Sequence, residues 1–527
     1  MTAPRPSGPA GSSSASPLSS SQAVSRDALP ARVEALLADG HRLALAAGHD
    51  DGPAGFRVVY VFAHPGTDRR TELTVAVPRD DAWVPSLSTV SFPAGRFERA
   101  VRDGFGIEPR DHVRPRRLIR HAHWPTGWYP MRRDAAVDPA FGPDESGFAF
   151  VPVEGQGVYE IPVGPVHAGM IEPGHFRFSV VGETIVRMKA RLWFVHRGLE
   201  KHLQGRTPDE ALPLTERISG DTAVGHALTF AMAVEDALGV PVAEEDRLVR
   251  ALLLELERLH CHTADLGAMA NDVGLGILQT HALRLRESLL RSNAAVTGHR
   301  LLRGGIGIGG ARIRALPDLD IVRSVAAEVA ELVRIALDGS VLVDRFTGTA
   351  VLHREAAAEM GVLGYVARAS GLDVDARRDH PFVDLGPAFR TCTAQEGDVM
   401  ARFRVRADEL QVSAALVADL VARLDGGLGT GRTWSGPGVA AGGRSDEPHQ
   451  DLGGTPVASG LALVEAWRGT ACHRVELDAA GRLTRAAIVD PSFFTWPALP
   501  VALADTIVPD FPLANKSFNQ SYAGNDL

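Results

Sequence analysis

The sequence predicts an α+β protein: a small N-terminal α+β domain, then a mainly α-helical domain with a small β element at its entry. Three observations predict it. The 527 residues exceed what one hydrophobic core usually organises. Strand-like runs rich in β-branched and aromatic residues come early, with a short helical pattern after them. From about residue 244 onward, long stretches carry apolar residues at helical spacing.

Residues 1–27 are mostly Ser, Pro, Ala and Gly up to residue 25, too poor in apolar surface to offset ordering entropy, and read as a disordered leader. In residues 28–134, Phe56 to Ala63 and Thr71 to Val77 read as strands. Phe92 to Phe105 opens with Pro93 and places Phe97, Val101 and Phe105 four residues apart, which predicts a helix. Residues 135–158 are Gly-, Pro- and Asp-rich without periodicity and read as linker. Residues 159–527 form the second domain. Phe176 to Val186 and Lys189 to Val195 read as strands around Gly182 and Glu183. Helices follow over Glu244 to Met269, 281–298, Ile321 to Leu337 and Ala407 to Leu424.

Composition narrows the function. Lys and Arg number 55 against 64 Asp and Glu, a net charge of −9 that argues against a nucleic-acid binder. The three cysteines, Cys261, Cys392 and Cys472, lie far apart, so this chain cannot hold a four-thiolate zinc or iron–sulfur site. No apolar run reaches the roughly 18 residues of a membrane span. Ala223 to Val240 comes nearest and is broken by His226, Glu235 and Asp236. The start lacks a secretory signal pattern, so a soluble, reduced, cytoplasmic protein is expected.

Several segments are odder than packing requires. Ile161 to His167 (I-P-V-G-P-V-H) and Glu172 to Arg177 (E-P-G-H-F-R) hold His and Glu on a Pro-rich turn, a way to fix a proton donor; a strand entry with surface histidines is the plainer alternative. His196 and Glu200 stand at i, i+4, as on an ion-paired surface helix. Glu255, Arg258 and His262 form a polar line on an apolar helix, which implies a buried network or a tuned neighbouring centre. The cluster Gly304 to Gly310 follows a helix rather than a strand, so it reads as a loop or helix crossing, not a dinucleotide fingerprint.

Together these segments resemble a known family. From about Glu160 to Leu527 the chain is similar to the D-type, quinone-site component of respiratory complex I and to the large subunit of membrane-bound [NiFe]-hydrogenases and formate hydrogenlyase. The resemblance rests on the strings above with Glu216 to Gly220 (E-R-I-S-G), Glu255 to His262 (E-L-E-R-L-H-C-H), Arg368 to Gly371 (R-A-S-G), Asp375 to Pro381 (D-A-R-R-D-H-P) and Asp490 to Phe493 (D-P-S-F). Residues 92–134 resemble the C-type component of the same complexes, through Phe92 to Ile107, Arg116 to Ile119 (R-R-L-I) and Pro130 to Asp134 (P-M-R-R-D). The resemblance implies a fused C/D electron-transfer subunit of an NADH:quinone oxidoreductase-like or hydrogenase-like complex. Its implied partners are a small iron–sulfur subunit and membrane-arm subunits, which would hold it at the inner face of the cell membrane. A 4Fe-4S cluster of the partner, and a quinone, are the implied cofactors.

The departures from the family shape the expected chemistry. The hydrogenases carry one C-x-x-C pair just after the Arg217 position and another near the C-terminus, which hold nickel and iron. Here Arg217 to Thr222 reads R-I-S-G-D-T, and Asn515 to Leu527 contains no cysteine. No nickel site is expected, because nickel and iron prefer soft thiolates that Ser219 or Asp221 would not replace. The resemblance assigns His167 to the quinone headgroup, Glu172 to proton transfer, and Arg217 with His262 to the surroundings of the partner cluster. The family's quinone tyrosine falls at Gly220. The alternatives are a catalytically empty docking subunit and an atypical [NiFe]-hydrogenase.

Overall fold

The computed structural model describes residues 19–143, 148, 150–167, 171–431 and 456–527. The protein is α+β as expected, built around two hydrophobic cores that share one sheet.

The first core lies under a four-stranded sheet. Ser19–Ala23 runs parallel to Arg69–Val77, which pairs antiparallel with Phe56–His64, and that strand with Arg42–Asp50. The segment read as a leader through residue 27 is therefore strand over Ser19–Ala23. An edge strand gains its ladder bonds from the backbone, so its polar composition does not prevent pairing. The Ala- and Leu-rich Arg42–Asp50 strand carried no β-branched signal. The expected helix forms over Phe92–Phe105, with Ser91 capping Ala94 N–H at 3.4 Å and Gly106 ending it at φ 72°. The helix packs close to the sheet because Gly48 has no Cβ: one there would lie 2.6 Å from the Phe105 ring.

The described residues from 111 to 157 form no helix or strand. The β element at the entry of the second domain is three antiparallel strands, Val158–Val163, His175–Val181 and Thr184–Arg191, turning at Gly182 and Glu183. The second strand read from sequence is thus displaced toward the turn, because the residues beyond Arg191 leave the ladder. The long helices are Ala223–Leu238, Glu244–Asp272, Gly276–Thr297, Leu319–Asp338 and Val399–Leu424. The glycine cluster makes a minimal hairpin, Ile306–Gly307 against Gly310–Ala311, held by Gly309 N–H to Glu235 at 2.6 Å.

Sequence patterning missed a three-stranded antiparallel sheet, Pro456–Ala466, Gly469–Asp478 and Leu483–Val489. Leu463, Cys472, Ala487 and Val489 of this sheet join the N-terminal core, and Ala462, Val464, Val475 and Ile488 join the helical core. Both faces are covered, so Gly469–Asp478 is buried throughout. Its charges disguised it: Arg474 bonds Glu72 at 2.7 and 2.9 Å, and Glu476 accepts from Arg57 at 2.7 and 2.5 Å. These ion pairs fasten the N-terminal sheet to the second domain.

Candidate functional site

Three stretches separated in sequence meet at one place: the turn around His167 and Glu172, the loop 217–222, and the C-terminal segment 519–527. The turn leaves the paired strand Val158–Val163 through a cis Gly164–Pro165 bond and rejoins the sheet at His175–Val181. His167 Nε2 lies 2.7 Å from the Gly174 carbonyl, which can only accept, so Nε2 carries the hydrogen. Glu172 accepts from Ala523 N–H at 3.1 Å, at the start of the short helix Tyr522–Asp526. Tyr522 packs against Gly174, where a Cβ would lie 2.6 Å from its ring. Burial pushes its phenol up to about 12.

The loop is tied to the C-terminal segment by hydroxyls and ion pairs. Ser219 Oγ lies 2.8 Å from Ser521 Oγ. Asp221 takes two bonds from Arg468, at 2.5 and 2.8 Å, and accepts from Ser219 Oγ at 3.0 Å and Thr222 Oγ1 at 3.2 Å. Burial by itself would raise the Asp221 carboxyl, but Arg468 and the two hydroxyls hold it down at about 2. Arg468 also donates to the Asn519 carbonyl at 2.6 Å and stacks 4.0 Å over the Trp467 ring.

Behind Trp467 lies a buried charged network. His262 is 2.9 Å from Glu409, and its ring meets Tyr365 and Trp467 at 5.9 and 6.0 Å. Burial pushes His262 down to about 4, an effect that the Glu409 carboxylate offsets only in part. Arg368 joins Glu409 (2.7 Å) to Glu465 (2.8 Å); Arg377 joins Asp375 (2.7 Å) to Glu255 (3.1 Å). The polar line Glu255, Arg258 and His262 is thus wholly buried, as one of its two readings required.

The sequence-derived candidates divide between these places. Glu172 holds the C-terminal helix, His167 bonds within its own turn, and His262 is enclosed. Arg217 is turned outward, its side chain 52% exposed and its guanidinium bonded to the Pro213 carbonyl. His196 and Glu200 do not share a helical turn. The helix begins only at Leu199, after left-handed Gly198, so His196 bonds the Asp526 carbonyl at 2.7 Å while Glu200 pairs with Arg485 at 2.9 Å. Asp221, Arg468 and Tyr522 were not singled out as site residues; each is placed by contacts distant in sequence. On the far side of Tyr522–Asp526 lies a mostly apolar cavity of about 130 Å³, lined among others by Phe97, Met131, Trp193 and Lys201. None of the four candidates lines it.

The donor set at the meeting point does not fit a thiolate-bound nickel. Ser219 and Thr222 stand at the C-x-x-C spacing as hydroxyls, Asp221 is committed to Arg468, and Cys261 is buried with its thiol 3.4 Å from the Asp221 carbonyl. Among the described residues no three His, Cys, Asp or Glu side chains are grouped to hold a metal ion.

Comparison with known proteins agrees with this mixture. The family "Respiratory-chain NADH dehydrogenase, 49 Kd subunit" matches residues 272–526, its "30 Kd subunit" matches 23–140, and "Nickel-dependent hydrogenase" matches 197–266. Formate hydrogenlyase subunit 5 of Escherichia coli (strain K12) is 31% identical over 514 residues, covering 94% of this chain and 87% of the relative. The chain belongs to this family of fused C/D-type subunits. Hydrogenase-4 component G of the same organism is 32% identical, covering 89% and 81%. The fused C/D component of the NADH-quinone oxidoreductase of Phocaeicola vulgatus is 29% identical, covering 71% and 76%. A chain of an archaeal membrane-bound sulfane sulfur reductase shares the fold, with a TM-score of 0.59 and 24% identity over 72% of this chain and all of that one. The protein is accordingly a subunit of the complex I-like and hydrogenase-like oxidoreductases. No helix among the described residues is long and apolar enough to cross a membrane.

Proposed function

We propose that this chain lines the cavity in which electrons pass from a 4Fe-4S cluster of a small partner subunit to an acceptor, a quinone. The convergence of the His167–Glu172 turn, the 217–222 loop and the C-terminal segment carries this reading, because it gathers titratable groups around one place without a thiolate. With its Nε2 hydrogen committed to Gly174, His167 can give a proton to a quinone oxygen only from Nδ1, as the imidazolium. A bound quinone would supply the two-electron acceptor chemistry. In this reading Glu172, which accepts from the Ala523 N–H, is the carboxylate that returns the proton to His167. The exposed Arg217 is the cation available to a docked iron–sulfur subunit, and the enclosed His262 acts from behind Trp467.

In this reading the chain reaches the inner face of the membrane through membrane-arm partners. The test is quinone reduction by the purified complex, compared with His167→Ala and Glu172→Gln. A tenfold or greater loss in both supports the roles, and unchanged turnover in His167→Ala removes the donor assignment. One observation favours a second reading, a docking subunit without chemistry of its own: Asp221 is fully engaged by Arg468, and Gly220 takes the place of the family's tyrosine. Redox titration of the partner cluster separates the two readings. A docking subunit leaves the midpoint potential and its pH dependence unaltered in Arg217→Ala and His262→Gln.

A further inference from the structure

The segments that carry metal-binding thiolates in the hydrogenase relatives still meet here, although they carry none. Something else must hold them, and the structure shows what reaches both. Strands Pro456–Ala466 and Gly469–Asp478 are joined by a two-residue tip, Trp467 and Arg468, with Ala466 opposite Gly469. The tip is fixed from behind by Gly364 at φ 66°, where a Cβ would lie 1.9 Å from the Arg468 carbonyl oxygen. Such close backbone contact leaves the tip little freedom, so the Arg468 side chain, 4% exposed, is delivered to one position.

There its guanidinium spans the junction. Nη1 and Nη2 hold the two Asp221 oxygens of the loop, and Nε holds the Asn519 carbonyl of the C-terminal segment. The planar fork suits this three-point grip, and a lysine ammonium could not reproduce it. Trp467 braces both parts, its ring under the guanidinium and its Nε1–H on the Asp221 carbonyl at 3.0 Å. From the outer side Arg197 makes a weaker version of the same bridge, to the Ile218 carbonyl at 2.7 Å and the Ala523 carbonyl at 3.4 Å.

We infer that the Arg468–Asp221 pair is a metal-independent clasp that holds the 217–222 loop against the C-terminal segment and so sets the geometry of this site. Asp221 replaces a thiolate-side anchor with a carboxylate, and the cation that completes it comes from the protein itself. The site then assembles from the polypeptide alone, without insertion of nickel or iron. This inference does not depend on the quinone reading, since it concerns only how the walls are held.

A disulfide reporter tests it. With Ser219 Oγ and Ser521 Oγ 2.8 Å apart, cysteines at these two positions are within bonding reach only while the junction is closed. In the full chain, Ser219→Cys with Ser521→Cys is reduced and then exposed to glutathione disulfide, and the rate of cross-linking is followed by mass spectrometry. The cross-link is expected to form equally fast in protein produced with nickel and iron chelated or supplied. Adding Arg468→Gln should slow it at least tenfold, and Arg468→Lys should slow it less. Asp221→Asn, which keeps the side-chain shape, reads the same contact should Arg468→Gln fail to fold. The double change Arg468→Gln with Asp221→Asn should be no slower than the worse single change, because the two act as one unit. The inference is overturned by an unchanged rate in Asp221→Asn, by fully additive effects, or by cross-linking that requires added metal.

Discussion

Arg368→Met is the sharpest probe of the buried network behind the site. Arg368 is fully buried and donates to Glu409 at 2.7 Å, Glu465 at 2.8 Å and the Val374 carbonyl at 2.9 Å, with Asp375 at 3.6 Å. Around it three guanidiniums (Arg258, Arg368, Arg377) face four carboxylates (Glu255, Asp375, Glu409, Glu465), all buried. Burial alone would raise Glu409, but Arg368 first and His262 next hold it well below the usual carboxylate range. Methionine fills similar volume but leaves two cations among four acids. Removing one partner of a buried pair costs about 3–5 kcal/mol, and that is the expected loss at pH 7.5. The sign of its pH dependence follows. Carboxylates deprived of Arg368 have folded pKa values raised above their unfolded ones, so the variant binds protons on folding, and its deficit should shrink as pH falls toward 5. Urea unfolding followed by tryptophan fluorescence at pH 7.5 and 5.0 measures both effects. A loss below about 1 kcal/mol, or an equal loss at both pH values, would refute the charge accounting, against the 3–5 kcal/mol expected.

Other consequences are as specific. Burial pushes His260 down to about 3, so below pH 6.5 the unfolded chain takes up its proton first and the native state loses stability. Relative to His260→Leu, the wild type should lose about 2–3 kcal/mol between pH 7.5 and 4.5, from two pH units at 1.36 kcal/mol each; parallel profiles in the two proteins would contradict this. Gly364→Ala combines a left-handed backbone with a contact 1.9 Å from the Arg468 oxygen, and should destabilise by more than about 3 kcal/mol in thermal unfolding. Arg217→Ala, at a half-exposed side chain, should change stability by less than about 0.5 kcal/mol, so any altered cluster potential reports its charge and not the fold.

Legibility followed the range of the interactions. The helix Phe92–Phe105 was readable to its ends because its cap, proline and apolar spacing are local. Glu244–Asp272 was readable as well, with its polar line correctly suspected of burial. The strands Pro456–Ala466 and Gly469–Asp478 were not, since His473, Arg474 and Glu476 look like surface residues until their partners on other elements are known. The Ser19–Ala23 strand was hidden for a related reason: its pairing partner lies about fifty residues away, and its own side chains contribute little. Pro and Gly marked the turn that carries His167 and Glu172, whose roles came only from the family resemblance, whereas Arg468 sits in an ordinary A-W-R-G string.

The amino-acid sequence by itself determined the class of fold, the kinship to C/D-type subunits and the lack of thiolates, because each is a property of composition, local spacing or ordered motifs. Only the tertiary structure decided that a hairpin tip brings Arg468 to Asp221, that His262 is sealed behind Trp467 while Arg217 faces outward, and that the last sheet serves both cores. Those outcomes depend on which distant groups neutralise one another out of water, and a chain's linear order does not state that.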